Sequence, residues 1–111
     1  MTMLRQGDVL LVEINDLPSA MDDVMPERRG GRVEYVLAHG EATGHAHAIS
    51  ASGQVALRRH PEQGMFLVVQ GGGAELRHEE HRPLTVPPGA YRIVRQRTYD
   101  VGRHAWSNVR D

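Results

Sequence analysis

Cysteine is absent from this 111-residue chain, which excludes disulfides and every thiolate-based metal or catalytic site. Lysine is absent as well, so all thirteen basic residues are arginine. Composition bias and selection for guanidinium chemistry are both open readings of that fact. Aromatic residues make up only 5% of the chain, too few for a base-stacking platform. The formal net charge of −1 provides no global field to draw in nucleic acid or an anionic membrane. No apolar run approaches the length of about 20 residues that crosses a bilayer. The opening residues, Met1-Thr2-Met3-Leu4-Arg5-Gln6-Gly7-Asp8, do not have the form of a secretory leader. A soluble cytoplasmic protein is the expectation, with no membrane partner.

What the chain does have is turn residues and histidine. Twelve glycines and six prolines cut it into short apolar runs, as in a β protein. Residues 9–14 (Val-Leu-Leu-Val-Glu-Ile) read as a strand, followed by strands over 33–38, 46–50, 54–59, 65–70, 74–78 and 84–86. A long strand is expected over 90–98, with Tyr91, Ile93 and Val94 turned inward and the arginines mostly outward. Gly71-Gly72-Gly73 reads as a hairpin turn between the strands on either side. Residues 16–31 read as a long polar loop with one helical turn near 20–24. The tail, 101–111, would add an edge strand anchored by Trp106. About eight short strands, with turn signals about every eight to twelve residues, predict a single all-β domain built as a small barrel or sandwich.

Seven histidines stand in the chain, and four of them form two short-spaced pairs. His45 and His47 flank Ala46; residues two apart on a strand share a face, so both imidazoles can approach one ion. His78 and His81 flank Glu79-Glu80, a spacing that aligns across a turn. Neutral imidazole is the commonest ligand for divalent transition metals. A site built from His45, His47, His78 and His81 for zinc, nickel, manganese or iron is the sharpest hypothesis. Glu79 or Glu80 would add a carboxylate ligand or a general base. The plain alternative is that both pairs are polar groups satisfied by the backbone. His39, His60 and His104 are weaker candidates. The glycine triplet is not a phosphate loop, and no serine sits in a nucleophile-elbow setting.

Arg5-Gln6-Gly7-Asp8-Val9-Leu10-Leu11 resembles the start of small uncharacterised proteins of bacteria and their phages. The stretch Gly40 to His47, the His78 to His81 motif, Pro87-Pro88-Gly89-Ala90-Tyr91 and Arg95-Gln96-Arg97-Thr98-Tyr99 continue that likeness. It implies no assigned activity, but it makes the two histidine pairs look like parts of one design. His45-Ala46-His47 and the Pro87-Pro88-Gly89 turn are also similar to the two motifs of cupins, which implies a cupin-like β-barrel. The cupin ligand set does not carry over: residues 48–51 hold no glutamate, and no histidine follows Gly89 before His104.

Two other functions fit the sequence. One is a non-catalytic module that binds a partner protein or a second copy of itself, with residues 16–31, including Met21 and Met25, as the contact segment. The other is nucleic-acid binding through Arg92, Arg95 and Arg97, which the near-zero net charge and scarce aromatics argue against.

Overall fold

Alternating burial, not continuous hydrophobicity, organises the strands. In β2 (Val9–Ile14) Val9 and Leu11 are buried while Leu10 and Val12 are only partly so, the pattern of a strand with one face on the core. The computed structural model describes residues 2–40, 44–100 and 105–108, with the side chains of 97–100 and 105–108 left aside. Among the described residues there is no helix, and so none long and apolar enough to cross a membrane. The all-β expectation is met.

Two antiparallel sheets form the body. The six-stranded sheet runs β1 (Met3–Gln6), β2, β11 (Gly89–Arg95), β8 (Gly64–Val69), β7 (Val55–His60) and β3 (Asp22–Asp23). The five-stranded sheet runs β10 (His81–Val86), β9 (Ala74–His78), β6 (Ala46–Ser50), β5 (Arg32–His39) and β4 (Glu27–Arg29). One core joins them. Val9, Leu11, Leu57, Leu67 and Tyr91 come from the first sheet, and Leu37, Ile49, Leu76 and Val86 from the second. Leu57, Leu67 and Tyr91 lie in one cross-strand row. Tyr91 is fully buried, and its hydroxyl donates to the carbonyl of Pro87 at 2.7 Å, so the phenol is satisfied as burial requires. Both sheets keep open edges, so the closed barrel implied by the cupin likeness does not form.

Several boundaries differ from the sequence reading, each for a physical reason. Gly71-Gly72-Gly73 is not a hairpin turn. β8 and β9 lie in different sheets, and the glycines carry the chain across between them. Gly73 has φ +95°, and a Cβ there would stand 2.8 Å from the carbonyl oxygen of Val86. Residues 16–31 hold two short strands, β3 and β4, rather than a helical turn. The expected strand over 90–98 stops at Arg95, where the Gln96 amide donates to the carbonyl of Asp8 at 2.8 Å. β12 (Arg97–Asp100) then pairs with β13 (Ala105–Asn108) as a separate ribbon. The anchoring role expected of Trp106, and His104 itself, lie outside what is described.

The glycine crossing makes a testable distinction. Gly73→Ala meets both a left-handed backbone and the Val86 carbonyl, and is expected to lower unfolding stability by about 1–3 kcal/mol. Gly72→Ala, with open space around its Cβ, is expected to stay within about 0.5 kcal/mol of the parent in the same denaturant titration. Equal losses in the two variants would contradict the crossing geometry.

Candidate metal centre

The β9–β10 connection explains the spacing of the second histidine pair. Glu79 and Glu80 form a two-residue hairpin turn, and His78 and His81 face each other in register across it. His81 is the first residue of β10, as His78 is the last of β9. On β9, His78 shares the inward face with Leu76. On β6, His47 shares the inward face with Ile49, while Ala46 and Ala48 pack outward with Val36. His45 lies just before β6, where the Gly40 amide donates to its carbonyl at 2.7 Å and closes the β5–β6 connection.

The fold therefore brings all four histidines of the two pairs together at one end of the sandwich. The ring of His78 lies 4.4 Å from that of His47, 4.7 Å from His81 and 5.7 Å from His45, centroid to centroid. His47 and His81 stack at 5.9 Å. His39 and His60 stay outside the cluster. His39 pairs with Glu27 at the surface at 3.3 Å. His60 Nδ1 accepts the amides of Glu62 and Gln63, capping the β7–β8 turn.

The four imidazoles are not equivalent. His47 is fully buried and held at both nitrogens: Nδ1 lies 3.0 Å from Gln6 Oε1, and Nε2 lies 3.0 Å from Asp8 Oδ1. The orientation of the Gln6 amide is fixed, because its Nε2 donates to the carbonyls of Leu76 at 2.9 Å and Arg82 at 2.8 Å. Gln6 Oε1 is thus the acceptor, and the His47 Nδ1–H donates to it. Nε2 faces the Asp8 carboxylate, so both ring nitrogens meet buried polar partners. Asp8 Oδ2 in turn accepts from Arg95 Nε at 2.7 Å, and Arg95 Nη2 donates to the His39 carbonyl. Arg95 was expected to point outward; the buried carboxylate turns it in.

His45, His78 and Glu79 form a different subset. Each offers one donor atom, and the three donors lie within 4.8 Å of one another. This group could hold a metal ion. Metal bonds of about 2.0–2.2 Å place neighbouring donors about 3.3 Å apart in a tetrahedron, so the group must close slightly on loading. Glu79 has the freedom to do so, since its side chain is about half exposed. It is also held ionised: burial pushes its pKa up, but the Ala46 amide, its own amide and the charges of His45 and Arg29 outweigh that and leave it below the ordinary value. The Ala46 amide donates to Glu79 Oε1 at 3.0 Å, and Glu80 Oε1 stands 3.4 Å from His45 Nδ1.

Loading His78 requires one local change. Its Nδ1 accepts the Glu80 amide at 3.0 Å. If Nδ1 ligates, that bond is replaced. If Nε2 ligates, the neutral ring keeps its proton on Nδ1, which then repels the Glu80 N–H. Either route opens the Glu80 hydrogen bond. His81 Nε2 is buried with no hydrogen-bond partner among the described residues. It is directed at Gly7, where a Cβ would stand only 2.6 Å away. Gly7 has φ +58°, so both its backbone and its missing side chain make room for this histidine.

Sequence reasoning missed Gln6, Gly7 and Asp8, and it placed Arg95 on a nucleic-acid face rather than beside this cluster. Their only signal was indirect: they fall in the Arg5–Leu11 and Arg95–Tyr99 stretches that carried the resemblance to small bacterial and phage proteins.

Fold and site together define an open two-sheet β protein with a histidine cluster at one end of its core. The chain belongs to the family described as a domain of unknown function, DUF8820, which matches residues 5–96. No curated protein and no solved structure matches it.

The buried carboxylate should dominate the energetics of this end. Asp8→Ala leaves His47 and Arg95 without their shared anion and is expected to lower stability by about 3–5 kcal/mol. Glu27→Ala removes only the exposed partner of His39 and should change stability by about 0–1 kcal/mol. Comparable values for the two variants in chemical denaturation would contradict the buried network.

Proposed function

We propose that this protein binds one divalent transition metal ion, zinc, nickel, manganese or iron, at the histidine end of the sandwich. The observation that carries the reading is the convergence of His45, His78 and Glu79 donors within 4.8 Å. These three residues are the ligands we assign. His81 packs against His78, 4.7 Å between ring centroids, and stands beside the ligand set rather than in it. His47 is placed beside the set as its brace, since both of its nitrogens already face Gln6 and Asp8. The four-imidazole set expected from the sequence thus becomes two imidazoles and a carboxylate, with His81 adjacent.

That donor set favours a site with positions left for water or substrate. Two histidines and a carboxylate are the ligands of many mononuclear sites that activate water or dioxygen, whereas closed structural sites have four protein ligands. The metal, when bound, would supply Lewis acidity or a lowered pKa for bound water. The residues of the chain hold the donors in place, keep Glu79 ionised and exclude water from the His47 side.

A second reading, an interaction module for a partner protein or another copy of the chain, is favoured by one observation. Met25, within the segment at 16–31, is 78% exposed.

Elemental mass spectrometry on protein purified without a tag or chelator tests the main reading. About one equivalent of metal is expected, within the affinity range of histidine and carboxylate sites. His45→Ala and His78→Ala should each lose it, and His60→Ala should keep it. Metal-free protein that takes up none of the four ions on addition would overturn the reading.

A further inference from the structure

A cleft of about 490 Å³ opens beside the cluster and shares His78, Glu79 and His81 with it. The rest of its chemistry comes from the outward face of the five-stranded sheet. Arg32 and Glu34 of β5, Arg77 of β9 and Arg29 of β4 line it. Strand alternation produces this arrangement: Glu34 points away from the core while Leu37, at the bulge between Val36 and Ala38, points in, and Arg77 alternates with the core residue Leu76.

The charges do not cancel. Glu34, with only 7% of its side chain exposed, gathers Arg77 at 2.6 Å, Arg32 at 3.7 Å and Arg29 at 3.8 Å. Three guanidiniums face two carboxylates, Glu34 and Glu79, which leaves positive charge in excess even before an ion is added. Each guanidinium presents five N–H donors, more than one carboxylate can use. Arg32 is the least committed, with its side chain 58% exposed and no close hydrogen bond to Glu34. A planar fork of this kind matches carboxylate and phosphate groups. The volume falls within the range of small-molecule sites, about 300–1,000 Å³.

We infer that the cleft binds a small molecule carrying an oxyanion, a carboxylate or phosphate group, which Arg32 and Arg77 hold while the rest of the molecule reaches toward the His78–Glu79 rim. The inference rests on the proposed metal reading for what the far end meets, but the arginine end stands on its own residues. Arg29 has a different role, because its Nη2 donates to the Gly44 carbonyl at 2.9 Å and its other contacts are to Glu34 and Glu79. It ties the cleft wall to the segment that carries His45.

Calorimetric titration of succinate and of methylphosphonate into the full chain, metal-free and metal-loaded, tests the inference and separates the two oxyanion chemistries. At least one probe is expected to bind with a Kd below about 1 mM. Arg32→Gln should weaken that binding by about tenfold or more, Arg32→Lys by less, with metal stoichiometry and melting temperature unchanged. Arg32 is the variant of choice because Arg77 remains on Glu34 and preserves the fold. If the protein holds its metal but binds neither probe, or binds equally well in Arg32→Gln, the cleft assignment is overturned and the metal reading survives. If the protein holds no metal, yet binds a probe in an Arg32-dependent way, the oxyanion site stands and the metal reading falls.

Discussion

The buried Asp8 carboxylate is the constraint on which this end of the molecule depends. It stands in the turn between β1 and β2, faces His47 of the opposite sheet and accepts from Arg95 of β11. Gln6 extends the same link to the backbone of β9 and β10. The hydrophobic core could tolerate small slides of one sheet over the other, because its attraction is nondirectional. Hydrogen bonds between buried polar groups could not, since each displaced partner leaves a desolvated donor or acceptor. A buried ion pair is weak evidence for stability in itself. Its effect here is on register: it fixes the ring of His47, against which His78 and His81 are packed.

From that fixed ring the division of labour among the histidines follows. His47 is bonded on both sides and acts as the wall of the site. His78 shares the inward face of the same sheet but lies at its end, where the Glu79-Glu80 turn exposes a carboxylate beside it. His45 approaches from the chain before β6. The candidate donors therefore gather at the rim of the sandwich, half in the core and half facing outward. The arginines of the outer sheet face meet the same rim at Glu79, through Arg29 at 3.7 Å. A metal reading and an oxyanion reading are thus neighbours through one residue rather than two unrelated features.

The fold class was legible because period-two burial and frequent turn residues are local properties. β2, β5, β6 and β9 lie close to where their alternation placed them. The glycine triplet misled because a turn's residue chemistry says that the chain bends, not which sheet it bends into; a hairpin and a sheet-to-sheet crossing need the same freedom at φ. β3 and β4 were hidden because Asp22-Asp23 and Glu27-Arg28-Arg29 have no apolar alternation, being edge strands exposed along much of their length. The meeting of the two histidine pairs was a hypothesis from the sequence, and the geometry brings their rings together. What no local pattern carried was the distinction between them. His45 and His47 are chemically identical in the sequence, and only the long-range partners Gln6 and Asp8 separate a brace from a candidate ligand. The two-residue spacer in His78-Glu79-Glu80-His81 did carry a local signal, since it aligns the two histidines across a turn, and they pair in register there.

X-ray absorption spectroscopy at the metal edge of protein loaded with one equivalent of zinc tests this account most directly, because it reads the ligands rather than the affinity. The account predicts a shell of nitrogen and oxygen donors at about 2.0–2.2 Å in which two imidazoles are resolved by their outer-ring scattering, with that signal unchanged in His60→Ala. A shell of four imidazoles would bring His47 into the ligand set and contradict its role as brace, and a shell of oxygens alone would remove the histidine end from metal chemistry altogether.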